Sequence, residues 1–180
     1  MIPRDLPEIA LSVRQPWAWA IIFAGKDVEN RSAGSIRVGK MRPGRIALHA
    51  ASGMREAEYA WAVWRMAQDG VSVPPPGELV RGAIIGSVEV VEIITESDSP
   101  WFGGASGLSL KDPEPIEPIP CKGALGFFRW ERAKAFAGPV PWMKKWPTAQ
   151  TSDQSAQSGL FDALEVQFKT PPPKPFGTKK

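Results

Sequence analysis

Six consecutive residues, Lys26-Asp27-Val28-Glu29-Asn30-Arg31, place four charges directly after the apolar run PWAWAIIFAG. If this stretch is extended, Asp27, Glu29 and Arg31 share one face and Lys26, Val28 and Asn30 the other. A lysine against an apolar wall can lose its proton and act as a base or nucleophile. A lysine just past a helix end also meets the negative pole of the dipole, with no chemistry implied. Spacing leaves both readings open.

Other residues could join such a site. Arg14 and Gln15 stand before Pro16, where a strand end meets a helix start and an anion or base edge can be received. His49 with Ser52 could orient a substrate on a neighbouring strand end; the alternative is a satisfied core histidine. Between Asn30 and Gly53 the chain carries Arg31, Arg37, Lys40, Arg42 and Arg45 and no acidic residue, which suits phosphate contacts or a solvated turn. A second basic group, Arg129, Arg132, Lys134, Lys144 and Lys145, is interleaved with Phe127, Phe128, Trp130, Trp142 and Trp146. That pattern fits stacked bases or, more plainly, core aromatics. Cys121, between two prolines and Lys122, reads as inert. No serine-nucleophile motif and no phosphate-cradling glycine loop is present. With one histidine and one cysteine the chain predicts no structural zinc, and no cofactor is expected.

The elements that must position these residues follow from periodicity. Residues 9–14 read as a strand, and Pro16 to Gly25 bound a helix with Trp17, Ala20, Ile21 and Ala24 on one face. DVENRS is short and extended. GRIALHAAS is a strand after the turn MRPG. A helix over 54–69, with Ser52 as its cap, carries the stripe Ala57, Ala60, Trp61 and Trp64. GAIIGSVEVVEIIT is the strongest strand, and GALGFFRWERAKAF is another that turns helical near Ala133. Residues 97–122 read as a long loop whose Trp101 and Phe102 dock somewhere. The order predicts a mixed sheet or small barrel with two helices outside.

The totals set the bounds. A chain of 180 residues, 43% hydrophobic and 23% charged, is ordinary for a globular domain. Its net charge of +3 permits nucleic acid without demanding it. The longest apolar run is too short to span a bilayer and no signal peptide is evident, so the sequence reads as soluble and cytoplasmic, with no membrane partner. Residues 1–147 read as one domain and 148–180 as a polar linker and Pro/Lys-rich tail. Its TPPPKPFG segment could bind a protein partner or remain solvated.

LSVRQPWAWAIIFAGKDVENRS, GRIALHAAS, GAIIGSVEVVEII, PWFGG and PIPCKGALGFFRW, in that order, resemble an ASCH domain of the PUA-like superfamily. The resemblance covers about residues 9–136. It implies an α+β fold: a small, mostly antiparallel β-barrel flanked by two or more helices, here with a flexible C-terminal tail. It also implies a cleft for RNA, single-stranded nucleic acid or a modified nucleoside. Lys26 matches the lysine essential to the amidohydrolases of acetylated cytidine in this family, but Glu29 stands where they have threonine. Their partner glutamate falls near Glu96 or Asp98. A Lys26–Glu29 ion pair is a poorer nucleophile than an isolated lysine. The leading expectation is therefore a nucleic-acid-binding module. Arg14, Gln15, Trp17, Ser32, His49 and Ser52 line its cleft, Arg31, Arg42 and Arg45 contact phosphates, Trp101 stacks and Phe102 helps close it. The alternative is a metal-independent ribonuclease or amidohydrolase using Lys26 and Glu29.

Overall fold

The computed structural model describes residues 6–146, which fall into two compact units: 6–53 with 80–137, and 54–79 with 138–146. The expected linker and tail at 148–180, with the proline-rich segment, lie outside the described residues.

The first unit is α+β. Its elements are β1 (Ile9–Val13), α1 (Trp17–Phe23), β2 (Val28–Asn30), α2 (Ala33–Val38), β3 (Gly44–Ala50), β4 (Ala83–Ile94), β5 (Gly107–Pro120) and β6 (Phe127–Arg129). They form one six-stranded sheet in the order β2-β5-β4-β3-β1-β6, antiparallel except for the β1–β3 pair.

The expected barrel is not closed, because β2 and β6 are edges that do not pair. The gap between them is spanned by a helix the sequence reading did not anticipate. Ser32 caps α2 by accepting the Ser35 amide at 3.2 Å, and beyond its far end the Gly39 carbonyl accepts from Phe127 of β6 at 2.9 Å. Ile36 of α2 and Ile21 and Ile22 of α1 bury against Leu11, Val13, Leu48, Val88 and Leu108. The opposite face is covered by a smaller cluster of Ala10, Ala47, Ile84, Ile119 and Cys121, with Phe128 and Trp130 packed on it. Those two aromatics are therefore core rather than a free stacking surface.

The expected loop at 97–122 is corrected over most of its length: 107–120 is the longest strand in the unit. Four prolines in GLSLKDPEPIEPIP argue against a central strand, since each lacks a ladder donor. They are tolerated because β2 covers β5 only over Gly107–Ser109, so the outer edge beyond is left without a strand neighbour. Register shifts against β4 and a left-handed Asp112 (φ 48°) absorb the remaining mismatch. Near Ala133 no helix forms; only a single bridge joins Cys121 to Arg132.

The second unit holds α3 (Glu56–Ala67) and a 3-10 turn at Pro141–Lys145. Its buried residues are Glu58, Tyr59, Ala62 and Met66, a face rotated from the expected Ala57, Ala60, Trp61 and Trp64. The cause is distant in sequence: Trp146 packs edge-on to Tyr59 at 4.8 Å and Trp142 lies at 6.1 Å. Ser52 does not cap this helix; Arg55 takes the cap position. Among the described residues no helix is long and apolar enough to cross a membrane.

Candidate functional site

Lys26 is placed by the end of α1. Gly25 takes φ +66°, a conformation costly for side-chain-bearing residues, and the Lys26 amide returns to the Ala20 carbonyl at 3.1 Å. The turn drives the lysine inward rather than into solvent. Its ammonium is 5% exposed, donates to the Val28 carbonyl and pairs with Glu29 Oε2 at 3.0 Å. The expectation that Lys26 and Glu29 lie on opposite faces thus fails, because Lys26 precedes the strand and is free of its alternation.

Glu29 is shared. Its Oε1 accepts from Arg31 Nε at 3.2 Å, and Arg31 Nη2 donates to the Ser12 carbonyl on β1 at 2.6 Å. Ser12 is the register partner of His49 across the parallel β1–β3 pair, and its Oγ lies 2.9 Å from His49 Nδ1. On the far side, His49 Nε2 lies 3.1 Å from the Cys121 carbonyl. A polar chain therefore runs Lys26–Glu29–Arg31–Ser12–His49–Cys121 through the unit. Burial of a charge inside such a unit is tolerated only when paired and hydrogen-bonded, and each member here is.

Protonation within the chain can be assigned. A carbonyl only accepts, so Nε2 carries the imidazole proton, Nδ1 accepts, and the Ser12 hydroxyl donates. His49 is 1% exposed, and burial pushes its pKa below the ordinary histidine value, the Cys121 carbonyl partly opposing this. The Cys121 thiol is pushed up by burial, consistent with an unreactive side chain. Among the described residues no cluster of three or more His, Cys, Asp or Glu could hold a metal ion.

The aromatic loop is fixed beside this wall. Asn30 Nδ2 donates to the Trp101 carbonyl at 2.8 Å, and its Oδ1 accepts the Gly103 amide at 2.9 Å. Ser99 Oγ donates to Asp27, and Ser106 Oγ donates to the Arg31 carbonyl at 2.6 Å. Trp101 and Phe102 are half-buried. The strand and the loop flank one another.

Other expected site residues serve the scaffold. Gln15 is buried, with Nε2 donating to the Val80 carbonyl at 2.8 Å and Oε1 accepting the Trp19 amide at 2.9 Å, so it caps α1 rather than facing a ligand. Trp17 packs against the main core, while Arg14 is exposed at the strand end. Ser32 is committed to capping α2. Ser52 is not joined to His49; its carbonyl accepts from Arg81 at 2.6 Å.

The five basic residues of 30–53 divide. Arg45 is held by Ser87, the Asp112 carbonyl and Glu114. Arg31 is held as described. Arg37, Lys40 and Arg42 are exposed on and after α2. Arg42 lines a hollow of about 120 Å³ with Ile9, Pro43 and Phe127, and a second hollow of about 440 Å³ lies by Glu8, Arg129 and Trp130. Neither hollow includes the buried polar chain, whose chemistry rather than whose volume marks it out.

Ser12 is the residue that sequence reasoning missed. It is one serine in a short strand, and only the pairing of β1 with β3 brings it to His49. No family model matches this chain, and no curated protein matches it.

Proposed function

We propose that this chain is an ASCH-like domain of the PUA-like superfamily and that it binds RNA or single-stranded nucleic acid. The observation that carries the reading is the pair of hydrogen bonds at Asn30, one donated to the Trp101 carbonyl and one accepted from the Gly103 amide, which sets an aromatic loop against the charged strand. Base stacking on an aromatic ring needs a ring held in place, and a pinned loop supplies it at lower entropic cost than a free one.

Phosphate contacts fall to Arg42, as expected from the sequence, with Arg37 and Lys40 in place of Arg31 and Arg45. These three are exposed and sit on one connected segment, α2 and the turn after it. Arg31 and Arg45 already have protein acceptors, so a phosphate would compete with existing partners for them. Lys26, committed to a buried ion pair, suits a strand-shaping role better than that of an attacking nucleophile. This argues for a binding module over a Lys26-centred ribonuclease or amidohydrolase.

The test is a gel shift of labelled single-stranded RNA, an RNA hairpin and single-stranded DNA, with EDTA present throughout. The expected result is an intact, shifted strand whose affinity falls with salt, and a weaker shift for Arg37→Ala/Lys40→Ala/Arg42→Ala on every sequence. Affinity that does not change with salt sinks the reading. EDTA-resistant cleavage abolished by Lys26→Ala would restore the nuclease.

A further inference from the structure

We propose that Ser12 and His49 form a nucleophile–base pair that attacks carboxylic esters, a site independent of the nucleic-acid reading. Three observations carry it. First, the acceptor at Nε2 is a carbonyl, so the hydroxyl proton of Ser12 already points at a lone pair on Nδ1, 2.9 Å away. That is the arrangement a serine needs to lose its proton as it attacks, with the Cys121 carbonyl orienting the imidazole in place of a carboxylate.

Second, the pair is preorganised by the sheet itself. Ser12 and His49 are direct register partners, and the Phe128 ring stands edge-on to the imidazole at 5.9 Å. Gly123 closes one side so tightly that a Cβ there would lie 2.5 Å from His49 Cε1 and 2.7 Å from Ser12 Oγ. Only a residue without a side chain fits there; His49 is buried and Ser12 half-buried.

Third, the Arg31 guanidinium, paired on one side with Glu29, is held at the backbone of the nucleophile. Arg31 Nη2 is anchored on the Ser12 carbonyl at 2.6 Å, and among the described residues its Nη1 has no protein acceptor. A positive charge near the nucleophile favours the negative charge that develops on the acyl oxygen of the ester as Ser12 attacks.

The reaction balances without a cofactor. Ser12 Oγ bonds to the acyl carbon while its proton passes to His49 Nδ1. The ester C–O bond breaks, and the proton on Nδ1 goes to the departing alkoxide. Water then attacks the acyl-serine, gives its proton to Nδ1, and the acid leaves as Ser12 recovers that proton. Nε2–H stays on the Cys121 carbonyl throughout, and nothing is oxidised or reduced.

The test uses full-length protein with a fluorophosphonate probe, followed by hydrolysis of p-nitrophenyl acetate. Wild type is compared with Ser12→Ala and His49→Gln, each checked for folding by circular dichroism. The expected result is phosphonylation mapped by mass spectrometry to Ser12, lost in Ser12→Ala, with turnover falling about a hundredfold or more in either variant. Should His49→Gln fail to fold, Ser12→Ala, which removes a single oxygen, decides alone. Labelling of wild type no faster than Ser12→Ala, or labelling at another residue, overturns the proposal.

Discussion

Arg31, which follows the edge strand β2, donates to the backbone of Ser12 on β1 at 2.6 Å. Four strand spacings separate these two strands in the sheet order, about 19 Å if the sheet were flat. One arginine cannot reach that far, so the sheet curls until its β2 edge approaches β1. The barrel left open by strand pairing is thus held at its mouth by a side chain and a short helix.

Arg31→Lys should loosen that mouth. A lysine cannot serve Glu29 and the Ser12 carbonyl together in fork geometry, and each charged hydrogen bond contributes about 1.5–3 kcal/mol at most. Arg31 is 23% exposed, so solvent offsets part of this and about 1–2 kcal/mol is expected. The urea midpoint checks it. An unchanged midpoint would mean that α2 alone spans the gap.

Lys26→Met should cost more. It leaves Glu29, 11% exposed, with Arg31 as its remaining counter-charge, and breaking a buried pair costs about 3–5 kcal/mol when no other partner survives. Because Arg31 survives, about 2–3 kcal/mol is expected, measured by denaturation. The double variant Lys26→Met/Glu29→Leu should be more stable than Lys26→Met alone. If it is less stable, Glu29 is held by Arg31 and does not depend on the lysine.

His49 ties stability to pH. Its folded pKa lies below the unfolded value of about 6.5, so between the two the unfolded chain binds more protons and stability rises with pH. The groups around the ring are the Ser12 hydroxyl, the Cys121 carbonyl and the Phe128 edge, with Arg31 one bond further on; none offers a negative charge. Stability should therefore fall as pH drops below about 6.5, and His49→Gln should flatten that part of the profile. Since this is the single histidine, one imidazole signal followed by NMR titration gives the folded pKa directly. A midpoint at or above the ordinary histidine value would refute the assignment.

Gly123→Ala should separate packing from chemistry. A methyl group 2.5 Å from His49 Cε1 must displace the ring or the loop, at about 1–3 kcal/mol. Fluorophosphonate labelling of Ser12 should slow even under conditions where the variant stays folded.

Asn30→Ala tests the pinned loop. It removes both hydrogen bonds to the Trp101–Gly103 segment while leaving the ring chemically intact. RNA affinity should fall in the same direction as for Trp101→Ala, whose stacking is worth about 1–3 kcal/mol per base. Loss in Trp101→Ala but not in Asn30→Ala would show that the loop needs no tether.

By itself the sequence determined what is local. Alternating apolar residues announced β1, β3 and β4, and Pro16 and Gly25 bracketed α1, because each rests on neighbours within a few residues. Lys26, Glu29 and Trp101 were also legible as site candidates, as charge beside an apolar wall and as an aromatic in a long connection. The tertiary structure decided the rest. Four prolines in β5 are acceptable only because no strand covers most of its outer edge, a fact of strand order. The stripe on α3 turned toward Tyr59 because its aromatic partners lie more than eighty residues away. Gln15 and Arg45 looked available until acceptors distant in sequence claimed them. Ser12 and His49 are thirty-seven residues apart, and no spacing rule joins them. Hydrogen bonds between side chains act over about 3 Å in space, and only the pairing of two strands sets which residues come that close.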